Sequence, residues 1–200
     1  MSSRLPLLFE NWGATDEERA APLPGDDRLV DPYVSATRSI TVTGSPDRVL
    51  AWLVQMGTGR AGWYSYDLID NYGRRSAEHI EPSWAVAAVG ETVPVGPISF
   101  EVTHLEPAGA EVDDRRTDGP TSLVLAMPEG RSLGHRIGFT LAYRASSTDG
   151  GVTSRLVSRV RIDVTGPLGF VINPLLTIGD GIMVRRQLLG IRRRCAQAGS

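Results

Sequence analysis

Polar and apolar side chains alternate along Arg38-Ser-Ile40-Thr-Val42-Thr43, the two-residue period of a strand with one buried face. The period then changes. Ser45-Pro46 offers an N-cap followed by proline at the first helical position, and Val49, Leu53 and Met56 follow at helical spacing, predicting a helix of about three turns. Short helical turns are expected from Gly62 to Trp84, broken at Gly73 and Pro82. A run of strands comes next. Ile98, Phe100, Val102 and His104 alternate with Ser99, Glu101 and Thr103; Ala110–Arg116 and Ser122–Met127 read as further strands; and Ile137, Phe139, Leu141 and Tyr143 alternate again. Thr148-Asp-Gly-Gly151 is a hairpin signal leading into a last strand, with Leu156, Val160 and Ile162 on one face and Arg155, Arg159 and Arg161 on the other. Such alternation predicts an antiparallel sheet with one wet face.

Gly166-Pro167 ends the sheet, and a long helix is expected from about Leu168 to Arg194. Its apolar stripe reads as Val171, Leu175, Ile178, Ile182 and Leu189, with Pro174 and the Gly179/Gly181 pair bending or loosening it. Strands segregated from helices make this an α+β chain rather than a doubly wound one. The expected architecture is a curved antiparallel sheet wrapped around a long C-terminal helix. One helix cannot fill such a sheet, so a mostly apolar cavity between them is expected, the kind of concavity that holds small molecules.

Ahead of the sheet, residues 10–31 carry seven acids (Glu10, Asp16, Glu17, Glu18, Asp26, Asp27, Asp31) against Arg19 and Arg28, and Pro22, Pro24 and Pro32 interrupt any long helix. The division is an acidic arm over residues 1–34 and a ligand-binding domain over 35–200. Thr15 and Glu18 have capping-box spacing.

The element order resembles the helix-grip fold of the START/Bet v 1-like superfamily, also called SRPBCC, which includes polyketide cyclases and lipid-transfer domains. Two stretches resemble an uncharacterised bacterial branch of it: Trp12-Gly-Ala-Thr-Asp-Glu17, and Gly62-Trp-Tyr-Ser-Tyr-Asp67 with Asp70 and Gly73-Arg-Arg-Ser-Ala77 behind it. The resemblance implies a hydrophobic ligand cavity. It transfers no catalytic residue, because no cyclase pattern matches position by position.

Composition narrows the reading. The chain has 200 residues, 41% hydrophobic and 22% charged, with 21 basic side chains (all Arg) against 23 acidic ones. That suits one folded domain with an arm, and the near-zero charge gives no overall case for nucleic acid. A single cysteine, Cys195, excludes an internal disulfide framework and a multi-cysteine zinc site. The N-terminus lacks the apolar core of a secretory signal, and Asp180 falls inside the only stretch long enough to span a bilayer, so a cytoplasmic protein without stable membrane insertion is expected. Association into a homodimer stays open.

The candidate chemistry is sparse. Gly57-Thr-Gly59-Arg-Ala-Gly62 fits a dinucleotide fingerprint, but a helix rather than a strand precedes it, so a helix-ending turn is expected. His79-Ile-Glu81 lacks the cysteine pair of a zinc deaminase, and no metal or cofactor is expected. Ser65 and Ser76 lie outside any nucleophile elbow. The arginines at 185, 186 and 192–194 suit a helix C-terminus. Expected pocket walls are Phe100, Val102 and His104; Phe139, Leu141 and Leu156; and Leu175, Ile178 and Ile182. Trp63, Tyr66 and Arg74 would guard the opening, near an acid–arginine cluster of Asp67, Asp70, Arg74 and Arg75. The function these features imply is binding of a hydrophobic or polycyclic small molecule. The alternatives are a cyclase or aromatase with His104 as acid/base, and an interaction module docking a protein through the arm and the aromatic mouth.

Overall fold

The computed structural model describes residues 11–107, 119–128, 130–132, 135–166 and 169–197. The expected strand at Ala110–Arg116 lies outside them. A short helix α1 (Asp16–Ala20) precedes strand β1 (Val34–Thr43); α2 (Pro46–Val54) and the single turn α3 (Asp67–Asp70) follow. Then come β2 (Thr92–Val95), β3 (Ile98–Glu106), β4 (Thr121–Ala126), β5 (Gly130–Ser132), β6 (His135–Ser147), β7 (Thr153–Val164) and the long helix α4 (Gly169–Gln197). The strands form one seven-stranded sheet in the order β1-β7-β6-β4-β3-β2, with β5 beside β6 and every pairing antiparallel. This is the α+β helix-grip architecture.

The local signals act as expected. Thr15 accepts from the Glu18 amide while the Glu18 carboxylate accepts from the Thr15 amide, closing the capping box. Ser45 caps α2, with Pro46 in its first turn. Gly57 and Gly62 exchange both backbone hydrogen bonds at positive φ, so the glycine-rich stretch is a tight turn that closes α2 and launches Trp63.

On the inner face of the sheet, α2 packs over β4, β6 and β7, and α4 lies over β1 and β7. Leu123, Leu125, Tyr143, Leu156, Val160 and Ile162 are fully buried there with Trp52, Leu53, Leu188 and Ile191. The buried face of α4 is not the expected stripe. It runs through Asn173, Thr177, Val184, Leu188, Ile191 and Cys195, and leaves Ile178 and Ile182 more than 40% exposed. Polar anchors set this rotation: Asn173 donates to the Val164 carbonyl and accepts from its amide, and Asp180 pairs with Arg38 at 2.8 Å. The helix continues through Pro174 and both glycines.

The outer face differs from the expected wet surface. The arm covers it. Arg159, nearly buried, donates to Thr37 Oγ1, to the carbonyls of Glu18, Arg19 and Ala21, and to Asp26 at 2.6 Å. Arg155 pairs with Glu18 at 2.6 Å and Arg161 with Asp26 at 3.0 Å. The carboxylates that make the arm acidic neutralise the arginine row of β7. Gly25 sits against Val124 and Leu29 against Gly138, so the arm also brings apolar contacts.

Candidate functional site

A cavity of about 610 Å³ opens between the inner sheet face, α4 and the segment following the glycine turn. Its sheet wall is Phe100 from β3, Phe139 and Leu141 from β6, and Val164 from β7. Phe100 and Phe139 stack with centroids 5.3 Å apart, and Trp63 meets Phe100 edge-on at 6.4 Å. Leu175, Leu176, Gly179 and Met183 form the helix wall. The cavity lies where α2 does not reach: α2 packs over β4, β6 and β7, and beside it the sheet faces α4 at Gly179, whose missing side chain leaves space between Leu175 and Met183.

Five expected wall or mouth residues line it: Trp63, Phe100, Phe139, Leu141 and Leu175. Val102 and Leu156 point inward but are fully buried in the packed core. Ile178 and Ile182 face outward with the turned helix. Arg74 is exposed and joins no ion pair among the described residues, nor do Asp67, Asp70 and Arg75 pair with it.

His104 does not reach the cavity. A β-bulge between Val102 and His104 inserts one residue, pairing His104 with Val124 and Glu106 with Ser122. One extra residue flips every later side chain to the opposite face. Val124 lies under Gly25 of the arm, so His104 is on the outer face, with Nε2 at 2.8 Å from Ser122 Oγ and 3.7 Å from Glu106. This position removes the only acid/base named for a cyclase.

The three neighbouring aromatics separate into three roles. Trp63 is in the cavity wall, and its indole Nε1 donates to the Pro94 carbonyl at 3.1 Å. Tyr64, at φ 58°, is a core anchor: its hydroxyl donates to the Trp52 carbonyl and accepts from Gln55, and Arg194 lies over its ring. Tyr66 is half exposed beneath Arg186. The C-terminal arginines are largely engaged within the chain, for Arg193 and Arg194 pair with Glu78 and Arg185 lies over Trp12.

Sequence reasoning placed Asp70 near the opening but missed the other polar groups of the cavity. Asp180 and Gln187 line its inner end; Arg38 meets Asp180, and Tyr143 donates to Gln187 Oε1 at 2.6 Å. Burial pushes the Asp180 carboxyl upward while the Arg38 guanidinium pulls against it. Asp70 also lines the cavity and is only 8% exposed. Its Oδ2 accepts from the Tyr66 amide at 3.2 Å; burial first, and the like charge of Asp67 in addition, push its carboxyl up to about 6. Ser65 donates to the Met183 carbonyl, tying this segment to α4. The missed pair had a signal: Arg38 shares the apolar face of its strand with Ile40 and Val42, and Asp180 is the single acid of a long helix. A buried charge at either place needs a partner.

Among the described residues no three His, Cys, Asp or Glu side chains gather as metal ligands, and no helix is long and apolar enough to cross a membrane. No family model matches the chain, and no curated protein does. Among solved structures it is similar to a conserved protein from Geobacillus kaustophilus, at 11% identity and a TM-score of 0.40 over 82% of this chain and 97% of that one.

Proposed function

We propose that this protein binds a hydrophobic or polycyclic small molecule in the cavity between the sheet and α4, as a cytoplasmic member of the START/Bet v 1-like superfamily. The observation that carries the reading is the cavity itself. Its volume of about 610 Å³ lies in the range of small-molecule sites, and three aromatic rings and a helix wall of leucine and methionine surround it. Superfamily membership draws support from the helix-grip architecture and from the two motif stretches, one of which supplies Trp63, Ser65 and Asp70 to the cavity.

The apolar rim fits the same reading. Leu175 is 65% exposed, and Ile98 and Leu176 are also partly open at the mouth, an arrangement that costs solvation unless a ligand covers it. The test is a titration with N-phenyl-1-naphthylamine, a neutral apolar fluorophore, alongside native mass spectrometry of protein from its own source. One probe bound per chain with blue-shifted emission is expected, displaced by aliphatic alcohols. Absence of any saturable binding would refute the proposal.

A further inference from the structure

We propose that the ligand is an amphipathic amine, its apolar body against Phe100 and Phe139 and its cationic head paired with Asp70. This rests on the binding function proposed above and specifies its ligand class.

Two carboxylates line the cavity, and they are treated differently. Asp180 has Arg38 at 2.8 Å. Among the described residues Asp70 forms no ion pair and its buried Oδ1 has no hydrogen-bond partner; its Oδ2 accepts from the Tyr66 amide, and no side chain donates to it. The charged neighbours do not compensate it. Asp67 carries the same sign and accepts from Ser76; Arg186 lies over the Tyr66 ring; Arg193 and Arg194 are committed to Glu78. No described lining residue of the cavity is basic.

A buried carboxylate without a cation is a large and unusual expense, and it turns up where a ligand supplies the counter-charge. Although burial raises its pKa to about 6, Asp70 is still mostly ionised at neutral pH. A carboxylate or phosphate head would meet like charge in a low-dielectric site. An ammonium would meet an acceptor in a cavity also lined by the aromatic rings of Trp63 and Phe100, whose π-systems tolerate cations better than anions.

The experiment is displacement of N-phenyl-1-naphthylamine from the full chain at pH 7.5 by three ligands of equal chain length: decylamine, decanol and decanoate. Decylamine is expected to bind at least about tenfold tighter than decanol, with decanoate weakest. In Asp70→Asn, which keeps the side chain's size, the preference for the amine over the alcohol should vanish. An amine no tighter than the alcohol in the native protein, or a preference that survives Asp70→Asn, overturns the inference and leaves the binding function standing. Failure of all three ligands to compete overturns the binding function instead. Should Asp70→Asn lose the alcohol as well, the ranking in the native protein decides.

Discussion

Gly179→Leu separates a genuine ligand cavity from a packing defect. Gly179 lies within α4 and lines the cavity, and a Cβ built on it meets nothing within 4 Å. A helical leucine leans toward the preceding turn, here over Leu175 and Leu176. Replacing glycine gains about 0.7 kcal/mol of helix propensity, and half-burying the new side chain adds about 1 kcal/mol. For a chain of this length those gains should raise Tm by roughly 3–7 °C. The same four carbons occupy ligand space. At about 0.3 kcal/mol per displaced ligand atom, affinity for N-phenyl-1-naphthylamine should fall about tenfold. Gly190, further along the same helix, is the control: a Cβ there would collide with the Tyr64 carbonyl and side chain, so Gly190→Leu should destabilise by more than about 2 kcal/mol. Differential scanning calorimetry and fluorescence titration read both quantities. Stabilisation by Gly179→Leu with probe affinity unchanged would place the ligand elsewhere, and destabilisation would contradict the open space beside α4.

Three further outcomes follow from the buried charges. Arg38→Met strands the Asp180 carboxylate and should cost about 3–5 kcal/mol in urea unfolding, most of it recovered in the double variant with Asp180→Leu; equal costs in single and double variants would show that the pair is not the cause. Arg159→Met removes the donor shared by three arm carbonyls and Asp26, and should cost about 2–4 kcal/mol while making the arm sensitive to protease; a cost below about 0.5 kcal/mol would mean the arm is held by its apolar contacts alone. Because burial raises the Asp70 pKa to about 6, the folded state keeps a proton that the unfolded chain has lost between about pH 4 and 6. Its contribution is therefore fully present below the ordinary aspartate pKa and is lost as pH rises through 6. The rise from the ordinary aspartate value to about 6 corresponds to at most roughly 3 kcal/mol, of which about 1–2 kcal/mol is expected in the profile. The stability–pH profile of Asp70→Asn should be flatter by that amount over this interval; superimposable profiles would show that Asp70 does not titrate there.

Strand positions were legible because alternation is a local property, and β1, β3, β6 and β7 each cover their predicted segments. Face assignment held only as far as the alternation was unbroken. The bulge before His104 adds a residue without disturbing the visible period, so the sequence places His104 inside and the register places it outside. The helix fails for a different reason. In its first half the polar Asn173, Thr177 and Asp180 bury because each has a specific partner, the Val164 backbone, the Asn173 carbonyl and Arg38, while Leu175 and Ile178 stay out. Hydrophobic periodicity cannot read burial that is decided by pairing. Asp70 was legible as an acid near the opening, three residues after Asp67, but its burial was not, nor that neither Arg74 nor Arg75 pairs with it among the described residues.

The arm changes how the cavity should be understood. A void of this size forfeits dispersion contacts along its lining, and large-to-small substitutions show that such losses reach several kcal/mol. The fold must recover them elsewhere, and the outer face is where the sequence invests. Arg155, Arg159 and Arg161 are positioned on one strand so that Glu18, Asp26 and a series of arm carbonyls converge on them, and Gly25 and Leu29 pack against the sheet alongside. Those contacts clamp β1, β7 and β6, the strands whose inner faces carry α4 and much of the cavity wall. The arm therefore closes the side of the sheet remote from the cavity, and its acidity serves the arginines beneath it. A hollow inner half is sustained by a covered outer face, which makes the arm part of the folded domain in physical terms.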